Sequence, residues 1–342
     1  MSATRIRIRK GDDMHCHLRT GLVMRAVTDF TAEQFKRAVV MPNTTPPILV
    51  AEDVEEYRWH INSCRLGGFE PLMTIQITGE TSPRIIAEAK KAGAIAGKVY
   101  PQGVTTNSQN GVSNFKAIYP ALEKMQELGM PVLFHGEDPW EKAICLHREK
   151  MFLPTLYDIA TDFPKLKIVL EHITTEDAFR MVTMLDNVAA TITAHHLVLT
   201  LDDIVGGMIQ PHNFCKPIAK FPEDREALLR AATSGSPKFF FGSDSAPHVR
   251  DDKECSQGCA GVFSAPVALA LLAQIFEERN ALDKMENFVS RFGADFYGLP
   301  QNTQTIGLSK ETWTVPEFYS VRNGLDDIVP FMAGRQLPWR VS

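Results

Sequence analysis

The chain has 342 residues, enough for two domains or for one α/β barrel with insertions, and enough to bury a large core. Its 36 Lys and Arg against 41 Asp and Glu give a net charge of −5, which leaves no electrostatic footprint for nucleic acid or an anionic membrane, so a small-molecule partner is expected. No apolar run approaches the roughly 20 residues of a membrane span, the start lacks the apolar core of a signal peptide, and six cysteines, scattered apart from Cys255 and Cys259, are no disulfide framework; the expected setting is the cytoplasm.

A short apolar strand, a polar turn and an amphipathic helical stretch recur about eight times along the chain. The predicted strands are 12–17, 37–43, 70–78, 94–100, 131–137, 167–174, 188–196 and 238–245. Nearly continuous apolar runs such as Pro131-Val132-Leu133-Phe134 fit parallel strands covered on both faces. Helix start signals lie at Thr31 followed by Gln34, at Ser82 before Pro83, and at Thr175 before Glu176 and Asp177. The alternation predicts a (β/α)8 barrel in a single domain over residues 1–342, with residues 301–342 packed outside the barrel. A doubly wound sheet fits the hydropathy equally well.

The placement of polar groups separates the two. His15 and His17, Asn43, Lys98, His135, His172, His195 with His196, and Asp244 all fall at the ends of predicted strands. In a (β/α)8 barrel those ends converge on the face where active sites are built. Polar groups ending apolar strands lose hydration, which costs free energy unless something pairs with them, and a metal ion would do so. His15 and His17 point to one side of a strand, a geometry that suits a metal, and Arg19 follows on the same face. Adjacent His195 and His196 should point to opposite sides, one toward the site and one into packing; which is which stays open. Lys98 alone reads as a snorkelling surface lysine, although a desolvated lysine holds more free amine and can react with carbon dioxide. His60, His147 and His212 read as surface or loop histidines, and Cys255 with Cys259 as an ordinary loop.

Taken together, His-x-His on strand one, lysine on strand four, histidines on strands five and six and aspartate on strand eight resemble the amidohydrolase superfamily. The resemblance is closer to the class II dihydroorotases through His15-Cys16-His17-Leu18-Arg19, Met41-Pro42-Asn43-Thr44, Gly97-Lys98-Val99-Tyr100-Pro101, Thr105-Thr106-Asn107-Ser108 and Gly242-Ser243-Asp244-Ser245-Ala246-Pro247-His248. It runs from about Ile6 to Pro300 and leaves no room ahead of His15 for an appended β-sandwich.

The resemblance implies reversible cyclisation of N-carbamoyl-L-aspartate to L-dihydroorotate plus water, a step of pyrimidine biosynthesis. It further implies two Zn2+ sharing a hydroxide, one held by His15, His17, Asp244 and carboxylated Lys98 (N6-carboxylysine), the other by Lys98, His135 and His172. Asp244 would be both ligand and general acid/base. Arg19 would grip the substrate carboxylate, Asn43 and His248 would complete the pocket, backbone groups of Lys216 and Ala260 would add contacts, and a homodimer is expected. Lys216 stands where an apolar residue is expected. The polar stretch from Thr105 and Thr106 to Gly111 suits a lid. A hydantoinase-type cyclic amidase is the rival within the superfamily, but a ring without a carboxylate has no use for Arg19 and Asn43. A scaffold that has lost its metals is disfavoured because no ligand position is missing.

Overall fold

The computed structural model describes residues 4–64, 67–321 and 326–342. After a first strand, β1 (Arg5–Arg9), eight strands form one parallel sheet in sequence order: β2 (Gly11–Cys16), β3 (Phe35–Val40), β4 (Glu70–Ile77), β5 (Ala94–Val99), β6 (Val132–His135), β7 (Ile168–Glu171), β8 (Val188–Ile192) and β9 (Phe239–Phe241). The sheet closes because Cys16 bridges Ser245 in parallel, His17 N donates to Ser245 O (2.9 Å) and Asp244 N to His15 O (2.8 Å). This is the expected (β/α)8 barrel.

Period-two alternation sorts the strand residues into two apolar layers. Met14, Val39, Leu72, Ala96, Leu133, Val169, Ala189 and Phe240 form the barrel interior, stopped by Phe292, Phe296 and Tyr297. The alternate residues, among them Val40, Ile75, Val99, Phe134, Leu170, Ile192 and Phe241, pack outward against the helices. Ser82 and Thr175 cap helices Pro83–Lys91 and Glu176–Met184, their hydroxyls accepting from Ile85 N (3.3 Å) and Ala178 N (3.1 Å).

Two expectations need correction. Thr31 starts no helix; it lies buried in the last turn of Gly21–Gln34, a helix that begins after Thr20. Its pairing with Gln34 mimics a capping box by composition alone. The predicted strands also run too far at their C-terminal ends, since β3, β8 and β9 stop at Val40, Ile192 and Phe241. Past those points the polar residues leave the ladder and bend over the barrel mouth, so Asn43 and Asp244 stand on loops.

The last part of the chain is not structureless packing. Thr305–Ser309 pairs antiparallel with both β1 and Arg340–Val341, and Trp339 and Phe331 are buried. No helix among the described residues is long and apolar enough to cross a membrane.

Candidate metal centre and substrate pocket

One pocket at the C-terminal mouth of the barrel is lined by His15, His17, Arg19, Asn43, Tyr100, Thr105, Thr106, His135, His172, Lys216, Asp244 and Ala260. Of the site residues expected from sequence, only Lys98 and His248 are outside this lining; Lys98 Nζ lies 5.1 Å from the centroid of the Tyr100 ring, and His248 Nε2 lies 2.8 Å from the Arg19 guanidinium.

Backbone geometry aims these side chains. Strand β2 has a register irregularity between Asp13 and Cys16, and the His15 and His17 rings lie with centroids 5.4 Å apart. On β7, alternation with inward-facing Val169 and Glu171 would send His172 outward. Its left-handed backbone, φ 40°, turns it back, so that its ring sits 5.0 Å from that of His15 and 4.8 Å from that of His135. Asp244 is left-handed too, at φ 41°. Holding two such residues costs on the order of 1–3 kcal/mol each and suits a functional site. Gly242 leaves space for His15, because a Cβ there would lie 2.9 Å from the His15 Cβ.

Three carboxylates that the sequence reading passed over fix the donors. Glu171 Oε2 accepts from Thr191 Oγ1 (2.5 Å) and lies 2.8 Å from His15 Nδ1. Glu137 Oε2 lies 2.8 Å from His135 Nε2. Asp13 accepts from His15 N (3.1 Å), Ser243 N (2.7 Å) and Ser243 Oγ (2.5 Å), tying β2 to the loop that carries Asp244. The available signal was a carboxylate embedded in apolar sequence, as in Ile168-Val169-Leu170-Glu171, where burial demands a partner.

Burial favours the neutral form of His17, His135 and His172. It lowers His17 to about 4, moves His135 down, and holds His172 well below the ordinary histidine value. Burial alone would raise Asp244, but the His17 hydrogen bond and the surrounding rings outweigh it, and the carboxyl is held well below its usual range. His17 Nε2 and His15 Nε2 lie 3.1 and 3.4 Å from Asp244 Oδ1.

These residues fit a metal. Ligand atoms of His15, His17 and Asp244 lie within 4.8 Å of one another, all buried. Among the described residues, Lys98 Nζ and His172 Nδ1 are buried with no hydrogen-bond partner. Burial lowers the Lys98 ammonium to about 8, so a neutral amine is accessible near physiological pH.

Arg19 brings positive charge to the pocket beside His17. Arg19 donates from Nε to Pro247 O (2.9 Å) and from its guanidinium to His248 Nε2 (2.8 Å). Arginine can only donate, so His248 Nε2 accepts, in line with burial and Arg19 pressing its pKa down to about 2. Ala260 O, 3.2 Å from that same nitrogen, is then left to accept from another donor. Asn43 Nδ2 donates to Thr106 O (3.2 Å), Asn107 Nδ2 to Asn43 O (3.0 Å) and Thr106 Oγ1 to Ala260 O (3.4 Å), drawing the 105–108 loop across the mouth. The cavity underneath measures about 20 Å³.

His195 and His196 depart from expectation. They sit on a turn beyond β8, so strand alternation does not apply; their ring centroids are 4.5 Å apart and both are buried.

A barrel whose mouth gathers four imidazoles, an aspartate and a buried amine defines the metal-dependent hydrolase class. A family model described as Amidohydrolase matches residues 70–277. A dihydroorotase of Shewanella denitrificans is 49% identical over 339 residues, covering 98% of each chain. The crystal structure of Saccharomyces cerevisiae dihydroorotase in complex with 5-fluoroorotic acid superposes with TM-score 0.94 at 39% identity over 99% of both chains. That of Campylobacter jejuni dihydroorotase gives 0.92 at 38%, over 100% of this chain and 98% of that one. The chain belongs to the amidohydrolase family and, within it, to the dihydroorotases. Membership implies a metal centre, and the donor set fits one.

Proposed function

We propose that the chain catalyses the reversible cyclisation of N-carbamoyl-L-aspartate to L-dihydroorotate in pyrimidine biosynthesis. The observation that carries this reading is that Arg19 and Asp244 line the same pocket, one able to hold a carboxylate and the other to carry a proton. A solved relative that binds 5-fluoroorotic acid, a ring bearing a carboxylate, supports the same assignment.

His15, His17 and Asp244 would hold one Zn2+, His135 and His172 a second, and carboxylated Lys98 would serve both. The chemistry a metal pair supplies there when bound is Lewis-acid activation of water and of the carbonyl under attack. The neutral Lys98 amine adds to carbon dioxide and releases a proton, leaving an anionic carbamate in place of a buried cation.

In ring opening, water adds to the ring amide carbonyl, the carbon–nitrogen bond breaks, and a proton reaches the departing nitrogen. Asp244, held ionised by its imidazole neighbours, takes the proton from the attacking water and delivers it to that nitrogen. Arg19, positioned by His248, grips the carboxylate that survives in both substrate and product, with Asn43 beside it. Ala260 O accepts from a ring N–H, and the Lys216 backbone borders the ring. The loop bearing Thr105 and Thr106, held at the mouth by its bonds to Asn43 and Ala260, opens to admit substrate and closes over it.

Closure consumes a carboxylate and takes up a proton, so lower pH favours dihydroorotate. Adding N-carbamoyl-L-aspartate to zinc-loaded protein in a pH-stat should take up one proton per ring formed, while N-carbamoyl-β-alanine, which lacks the second carboxylate, stays open. Closure of N-carbamoyl-β-alanine alone overturns the reading. The same proposal takes residues 1–342 as one catalytic domain, acting in the cytoplasm as a homodimer; sedimentation at twice the chain mass tests the last point.

A further inference from the structure

We infer that His195, His196 and Cys215 form an additional buried metal site for a thiophilic cation such as Zn2+, separate from the donors at the pocket. One ligand atom from each lies within 4.8 Å of the others, and all three residues are at most 1% exposed.

His195 is the strongest sign. Both of its ring nitrogens are buried without a hydrogen-bond partner among the described residues, and its ring meets the edge of Phe331 at 6.2 Å. A histidine packed for structure alone satisfies at least one nitrogen, because an unpaired buried polar group costs about 1–3 kcal/mol. A metal at the cluster gives one of these nitrogens a partner.

His196 is arranged as ligands are. Without the ion, Nε2–H donates to Pro217 O (3.0 Å), Cys215 Sγ lies 3.3 Å from Nε2 and donates to the same carbonyl (3.4 Å), and Thr193 Oγ1 lies 2.9 Å from Nδ1. With the ion bound, the ring proton moves to Nδ1, where Thr193 Oγ1 accepts it, and Nε2 is freed as a ligand. Burial keeps both imidazoles in the neutral form that binds metal, with His195 lowered to about 4. Two imidazoles and a thiolate select a soft or borderline ion over Mg2+ or Ca2+, and the Pro217 carbonyl can complete a closed tetrahedral set. Burial raises the Cys215 thiol to about 12, so the thiol is protonated without the ion, and binding must displace that proton to solvent against this shift. The ion would tie the turn beyond β8 to the segment whose next residue, Lys216, lines the pocket.

Cobalt substitution tests the site. None of the six donors proposed at the pocket is a thiolate, so a near-ultraviolet sulfur-to-cobalt charge-transfer band reports on a cysteine site even if the two-metal reading fails. The chelator-stripped full-length chain, reloaded with Co2+, should show the band. It should vanish in Cys215→Ala and weaken severely in His195→Phe, each variant holding one equivalent of zinc per chain less than the parent. Should Cys215→Ala misfold, His195→Phe carries the same comparison. No band in the parent chain overturns the inference, and so does a band that survives Cys215→Ala, which would then come from another of the six cysteines.

Discussion

Glu171 Oε2 lies 2.8 Å from His15 Nδ1, and this contact decides which nitrogen of His15 faces the site. With Nδ1 committed, Nε2 is directed toward Asp244. Such outer partners are worth roughly 10- to 100-fold in metal affinity. Glu171→Gln should therefore weaken zinc binding by about that factor, as read by competition with a chromophoric chelator. Unchanged affinity would show that His15 is oriented by packing instead.

Arg19 and His248 make a separable prediction. Arg19→Ala should keep its full metal content while KM for dihydroorotate rises roughly 10- to 150-fold, from the 1.5–3 kcal/mol of a hydrogen bond to a charged group. His248→Ala should shift KM in the same direction by less. Metal loss in either variant would mean that these residues belong with the ligands.

Lys98→Ala should lose metal and activity together, with partial rescue by a short carboxylic acid that replaces the bridge. A fully active variant sinks the two-metal account. The sign of the pH dependence follows from burial. The ammonium is lowered to about 8, so the reactive amine is scarce below that pH and dominant above it. At a fixed concentration of dissolved labelled carbon dioxide, capture by the metal-free chain, followed by carbon NMR, should speed up about fivefold between pH 7 and pH 8 as the neutral fraction grows. A flat rate across that interval would argue against the amine as nucleophile.

Thr105→Ala combined with Thr106→Ala should lower kcat with metal content unchanged. The Thr106 hydroxyl reaches Ala260 O across the mouth, and only a closed loop excludes water from the reacting ring. Unaltered kinetics would remove the lid role.

Much of this was readable in the sequence because the barrel obeys a strict period. Apolar strands with polar ends, repeated about eight times, announced both the architecture and the face that carries the site. What the period could not reveal lies where the backbone leaves it. His172 and Asp244 are turned by positive φ, which no hydropathy pattern encodes, and the real strands stop short of Asn43 and Asp244. His195 and His196 were assigned to opposite faces because a strand was assumed where a turn stands. The roles of Glu137, Glu171 and Asp13 are not legible in the pattern because their partners are either distant in sequence or only two residues away, where strand alternation does not reveal a bond. The pairing of β1 with Thr305–Ser309 joins opposite ends of the chain, a contact that local pattern does not show.

The central claim is that one pocket opens a cyclic amide and requires a carboxylate on the ring. Zinc-loaded protein should be given L-dihydroorotate and, separately, the unsubstituted dihydropyrimidine ring, with ring opening followed by ultraviolet absorbance. The account predicts that dihydroorotate opens and the unsubstituted ring does not. Opening of the unsubstituted ring alone would contradict the role given to Arg19, and silence on both would contradict the enzyme.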